Sequence, residues 1–296
     1  MKLYVWRDAK TNFGDELNHW LMPKILPGLF DDDEADIFLG IGSVIFDFHR
    51  RESRKIVFGS GYGGYTALPD FDQTWRFHGV RGPRTALACG LGSDSVAGDA
   101  AILVSRYRQR PSAPGRGVAF MPHWQSVERG RWATACELAG IRFIDPTEDV
   151  ETILDAIESS EMLIAEAMHG AIVADALRVP WVPMLPARRA ERMKWWDWAE
   201  ALDLDLKLEH AWPSSLAEAL MAARGGRGDG RRLTRAGGAL GAGVRTVDWG
   251  FARLAAARLA HLAKIQPMQS SERAIARAVE RLEGHAAEIR RCYASG

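Results

Sequence analysis

The chain has 296 residues, of which 47% are hydrophobic and 26% charged, with 38 basic side chains against 38 acidic ones. That length exceeds a usual single domain and predicts two, and the even charge gives no electrostatic case for nucleic-acid binding. Cys89, Cys136 and Cys292 stand far apart, without the spacing of a disulfide framework or a zinc site. The start, MKLYVWRD, has no long apolar core, and no run reaches the roughly 18 apolar residues of a membrane span. The predicted location is therefore the cytoplasm, with room for work at the inner face of the membrane.

In chain order, KLYVW, DIFLGIG, KIVFGSG and RFHGVRG each read as a buried strand running into a loop, while GDELNHWLMPKIL and GPRTALACGL have helical spacing. This alternation predicts a parallel sheet with covering helices over residues 1–108. SRYRQRPSAPGRG, residues 105–117, has the composition of a linker. A second round over 115–222 places strands at GVAFMPHW, RFIDP, MLIA and PWVPML and helices at RWATACELAG, VETILDAIESS and GAIVADALR. The predicted fold class is α/β, two Rossmann-like domains facing a cleft. A Gly- and Arg-rich segment (223–247) reads as a mobile loop. A helical extension (248–296) follows, with apolar positions at helical intervals that suit packing on the body or a homodimer.

In open α/β sheets ligands bind beyond the carboxyl ends of the strands, and the glycines of this chain collect there. NFGDELN opens a helix whose amides suit an anion or a sugar hydroxyl, or simply an N-cap. GSGYGG lacks the spacing of a dinucleotide fingerprint. These turns make Asn12, Gly14, Asp15, Ser60 and Tyr62 candidates for the cleft or for acceptor binding. In HGVRGPRTAL, Arg81 follows a strand, and Arg84 lies near the start of a helix with Pro83 in its first turn. Two guanidiniums there suit a phosphate or carboxylate; the alternative is pairing with Asp99 or another acid. His123, in MPHW, ends a strand of the second domain. RRAERMKWWDWAEAL offers Trp195 as a platform for a sugar ring and Lys194 as an anion ligand, or a helix that packs its tryptophans inward.

Between the strand MLIA and the helix GAIVADALR, residues 166–169 form a short turn. His169 stands at the helix start, where the dipole disfavours the imidazolium, and Gly170 leaves space for a close approach. As a pair, His169 can move a proton and Glu166 can orient it or accept one.

Taken in order, NFGDELN, GIGSVI, FGSGYGG, VRGPRT, GDAAIL, MPHW and AEAMHGAIVADALRVPWV resemble the polysaccharide pyruvyl transferase family, in particular its exopolysaccharide-pyruvylating members, over about residues 3–200. The resemblance implies a fold similar to the GT-B glycosyltransferases. It also implies transfer of pyruvate from phosphoenolpyruvate to a glycan acceptor, often lipid-linked, as a cyclic ketal, without metal or cofactor. The family's donor-binding arginine and histidine match Arg81 and His169. Its usual arginine two places before the histidine is Ala167 here, which moves donor charge neutralisation to Arg84 or Lys194. Two other readings stay open: a GT-B glycosyltransferase using a nucleotide sugar, and a non-catalytic sugar- or anion-binding relative.

Overall fold

A computed structural model describes residues 1–7, 10–108, 115–185, 192–225 and 242–293, with the side chains of the last stretch from Thr246 onward. The chain forms two compact units. The first comprises Met1–Gln109, Met193–Leu206 and Ser270–Gly296; the second comprises Arg110–Arg192 and Lys207–Gln269.

The first unit begins with β1 (Lys2–Tyr4), α1 (Phe13–Ile25), β2 (Asp36–Leu39), β3 (Arg54–Val57), β4 (Trp75–Phe77), α2 (Pro83–Ala88) and a 3-10 helix at Ala100–Arg106. The strands form a parallel sheet in the order β1-β2-β3-β4, with Leu3 opposite Phe38 and Phe38 opposite Ile56. Successive side chains of a strand point to opposite faces, and both faces are apolar. Ile37, Leu39 and Val57 join one core cluster with Val44, Ile45 and Trp75. Phe38 meets Phe30 and Phe58, at ring-centroid distances of 5.2 and 5.8 Å. A sheet buried on both sides explains why these strands read as continuous apolar runs.

The second unit contributes β5 (Val118–Met121), α3 (Trp124–Arg129), α4 (Trp132–Ala139), β6 (Arg142–Phe143), α5 (Val150–Glu158), β7 (Met162–Ala165), α6 (Met168–Ala176) and β8 (Trp181–Pro183). These strands are also parallel, in the order β6-β5-β7-β8. Its core joins Phe120, Ile164 and Val182 of the sheet to Trp132 and Cys136 of α4.

The chain then alternates between units. In the first unit, α7 (Met193–Ala201) is followed later by α10 (Glu272–Tyr293); α8 (Leu216–Ala223) and α9 (Ala242–Leu262) belong to the second. Ala255, Ala256, Leu259 and Leu262 of α9 enter the second unit's core cluster. The stripe Ala274, Ile275, Ala278, Val279, Leu282, Ala286 and Ile289 of α10 is buried, and α10 packs on the 3-10 helix of its own unit. The apolar face that the sequence offers for pairing is thus used within the unit. Residues 109–114, in the expected linker, and 226–241, in the Gly- and Arg-rich segment, lie outside the described residues.

One glycine is fixed by two constraints. Gly59, just past β3, has φ +67, and a Cβ there would lie 2.7 Å from the backbone nitrogen of Ala100. Gly59→Ala is therefore expected to cost about 2 kcal/mol or more, read as a lower urea midpoint at unchanged m-value.

Candidate functional site

Strand order singles out one place in the second unit. The chain leaves β5 towards β6 on one side, whereas β7 and β8 lie on the other. The loops after β5 and β7 therefore diverge, which is the topological switch point where α/β sheets take ligands. These loops carry His123 and the stretch Glu166 to His169.

Glu166 ties the two loops together. It is 3% exposed; its Oε2 accepts from the His123 backbone N–H at 2.9 Å and its Oε1 from Ser126 Oγ at 3.0 Å. The backbone N–H groups of Glu166 and Ala167 donate to Met121 O at 3.0 and 3.3 Å. Ser126 also accepts from Arg129 Nη2 at 3.1 Å. Neither α3 nor the roles of Ser126 and Arg129 were foreseen from the sequence, because a six-residue helix directly after a strand leaves no periodic signal.

His169 is the second residue of α6 and half-buried. The N-cap of α6 is Ala167, whose methyl side chain offers the cap no acceptor. The first-turn amides of a helix are a place where an anion can be held. Gly170 has a packing reason: a Cβ there would lie 2.6 Å from Met121 Sδ, so α6 sits close on β5. His123, also half-buried, accepts from Gln125 N at its Nδ1, 3.3 Å away.

In the first unit the arginines are held by acids. Arg81 is 0% exposed; it donates from Nε to Asp197 Oδ2 at 2.9 Å, from Nη1 to Ser43 Oγ at 2.9 Å and from Nη2 to Tyr62 O at 3.0 Å. Asp197 also accepts from Thr85 N at 2.8 Å and Thr85 Oγ1 at 2.7 Å. The start of α2 thus already holds a carboxylate, in the place where the sequence suggested a substrate anion. Arg84 forks onto Glu200, with contacts of 2.6 to 3.1 Å. Trp195, offered as a sugar platform, is 0% exposed and meets Trp198 at 6.2 Å, so its indole belongs to the core. Tyr62 donates from its backbone to Thr85 Oγ1 at 3.0 Å and from its hydroxyl to Thr66 O at 2.5 Å.

Asn12 caps α1 by accepting from Asp15 N at 3.2 Å, and its amide donates back to the Asp15 carboxylate. Gly14 is buried in the first turn of α1. Asn18, missed in the sequence, locks the loop after β2: it donates to Ile41 O at 2.9 Å and accepts from Ile41 N at 2.8 Å. Burial pushes the Asp15 carboxyl up to about 6, against the pull of Asn12 and Lys194. Asp99 is also pushed up to about 6 by burial, against Arg81. Ser60 is fully buried, and its hydroxyl has no hydrogen-bond partner among the described residues. A cavity of about 700 Å³ along β1, between Lys2, Phe30, Phe48 and His49, includes none of the candidate residues.

Among the described residues, no group of three or more His, Cys, Asp or Glu side chains could hold a metal ion, and no helix is long and apolar enough to cross a membrane. Burial raises the Cys89 and Cys136 thiols to about 12, far from nucleophilic use.

No protein-family model and no solved structure matches the chain. It is 36% identical, over 228 residues, to the succinoglycan biosynthesis protein ExoV of Rhizobium meliloti (strain 1021), a match covering 75% of this chain and 71% of that protein.

Two variants test these assignments. A carboxyl raised by burial is protonated in the folded chain at a pH where the unfolded chain has already released its proton, so stability falls as pH rises from about 4 to about 6 and is level above. Asp99→Asn keeps an acceptor for Ala101 N and should remove the Asp99 part of that fall, about 1–3 kcal/mol, in denaturation at stepped pH. Glu166→Gln offers one acceptor oxygen to two donors and should lower stability by about 1–3 kcal/mol, measured by thermal unfolding.

Proposed function

The chain belongs to the polysaccharide pyruvyl transferase family, and from that premise we propose that it transfers pyruvate from phosphoenolpyruvate to two hydroxyls of a sugar in an exopolysaccharide repeat unit. The product is a cyclic ketal and inorganic phosphate, with the acceptor glycan carried on a lipid at the inner face of the membrane. The GT-B-like pairing of two Rossmann-like domains belongs to the same reading. The observation that carries it is the start of α6, whose cap is Ala167 and whose second residue is His169.

Phosphoenolpyruvate brings a phosphate and a carboxylate. The amides of the first turn of α6 suit one of these anions, with the positive end of the helix dipole behind them. Protonation of the methylene carbon makes the pyruvyl carbon electrophilic, and in this reading His169 supplies that proton. The first sugar oxygen then bonds to this carbon, the carbon–oxygen bond to phosphate breaks with its electron pair leaving on phosphate, and the second sugar oxygen closes the ring. Two hydroxyl protons are released in all; one replaces the proton given to the methyl carbon and the other leaves on phosphate, so no outside reagent is needed.

In this reading Glu166 positions rather than reacts. Both of its oxygens hold protein donors, so it serves the reaction by positioning the His123 loop. Arg81 and Arg84 are engaged by Asp197 and Glu200, and Lys194, half-buried and close enough to lower the Asp15 carboxyl, remains the first unit's candidate for an anion.

The full chain, incubated with phosphoenolpyruvate and a lipid-linked acceptor, should release phosphate and add a pyruvyl ketal to the glycan by mass. His169→Ala should stay folded and lose about 10²- to 10⁴-fold in kcat. Nucleoside diphosphate release from a nucleotide sugar, with no phosphate from phosphoenolpyruvate, would support the glycosyltransferase reading instead.

A further inference from the structure

The proposed reaction leaves the cavity of the first unit unused. Its volume of about 700 Å³ lies within the range of sites that take small molecules, about 300–1,000 Å³. It runs along Lys2 to Val5 and Arg7, and β1 pairs only with β2 among the described residues, so this wall is the edge of the sheet. Three cationic side chains, Lys2, Arg7 and Arg50, line it against three carboxylates, Asp31, Asp32 and Glu34. Glu34 holds Lys2 at 2.6 Å and Arg50 at 3.3 Å, and Glu16 holds Arg7 at 2.8 Å. The walls therefore select neither an anion nor a cation, yet they are dense in hydrogen-bond donors and acceptors. Tyr4 adds a hydroxyl with no hydrogen-bond partner among the described residues. Pro23, inside α1, has no N–H to give to the His19 carbonyl, and both residues line the cavity. Phe48 lies at the same wall, 66% exposed, with its ring backed by Phe46 at 5.1 Å.

We propose that this cavity is a glycan subsite, which takes uncharged sugars of the acceptor with one ring face on Phe48 and hydroxyls on Tyr4 and the charged walls. A ligand that suits balanced charges and an exposed ring is uncharged, rich in hydroxyls and apolar on its faces, which is the chemistry of a neutral saccharide. The inference rests on the reading of a glycan acceptor and names where the first unit holds it. A strand added at this edge would instead bury Lys2 and Glu34, whose side chains are 43% and 40% exposed, and charges of that kind guard sheet edges against pairing. None of these residues takes part in the transfer. Their grip is the same before and during the reaction, so it lowers the KM for the acceptor and leaves kcat alone.

The probe is the sugar chain of the acceptor, freed from its lipid by mild acid and titrated into the full chain by calorimetry. Phe48→Ala removes an exposed ring and Tyr4→Phe removes a hydroxyl while keeping its ring, so both should melt as the wild type does. Affinity for the freed glycan should fall roughly tenfold in Phe48→Ala and roughly threefold in Tyr4→Phe. In the transfer assay Phe48→Ala should raise the KM for the lipid-linked acceptor by a similar factor, while kcat and the KM for phosphoenolpyruvate hold. A Phe48→Ala chain with wild-type glycan affinity and wild-type acceptor KM overturns the inference and leaves pyruvyl transfer standing. A wild-type dimer that Phe48→Ala splits into monomers, at unchanged glycan affinity, assigns the cavity to a second copy and overturns it too. Glycan binding that depends on Phe48, in a chain that releases no phosphate from phosphoenolpyruvate, upholds the subsite and overturns the donor reading.

Discussion

A single buried carboxylate at the end of β7 fixes how the loops after β5 and β7 meet in the second unit. Glu166 accepts from the backbone of His123 and the hydroxyl of Ser126, and so joins two loops that the strand order would otherwise send apart. An ionised carboxylate placed in a protein interior needs such donors, and the loops need a common acceptor to hold one geometry. The position of His123 and the approach to α6 both follow from that exchange. Ser126 and Arg129 extend the network behind it, which keeps α3 in place without a regular cap beyond the His123 ring.

The first unit uses the same kind of solution at a different place. Asp197 meets Arg81, Thr85 N and Thr85 Oγ1 at once, so the start of α2, the guanidinium and α7 form one closed set. Gly82 permits the closeness: a Cβ there would lie 1.8 Å from Asp197 O. A buried ion pair of this kind costs dearly when one partner is removed, although its net worth can be small. This is a stronger reason for Arg81 to be present than an open anion site would be, because the arginine's charge is already balanced inside the unit.

Much of this was legible in the sequence, and the parts that were not share a cause. The strands stood out as apolar runs because each sheet is covered on both faces, and the helices α1, α4, α5 and α6 as periodic stretches between them. Asp197 was not legible, since it lies 116 residues from Arg81 and local pattern says nothing about which acid will meet which base. Trp195 carried a signal that was available: Trp195 and Trp198 stand three apart, on one face of a helix, and both are fully buried. Trp196, between them, is half-buried, with its ring 5.9 Å from the Arg84 guanidinium carbon. Glu166 was read as chemically active because a lone acid in an apolar segment looks reactive, whereas burial with two donors gives it a structural reason to be there.

The contrast between the two helix starts leads to one further step. At α2 the protein supplies its own carboxylate, Asp197, while at α6 the cap is an alanine whose side chain accepts nothing. Ala167 stands where the resembling family has an arginine, and on sequence alone that substitution moved donor charge neutralisation to Arg84 or Lys194. In the structure it has another meaning. An arginine at the cap would bring a full positive charge to the amides, whereas alanine leaves the amides themselves, in the fixed arrangement of a helix start. Neutral donors in fixed positions can hold an anion with less desolvation cost than a buried guanidinium.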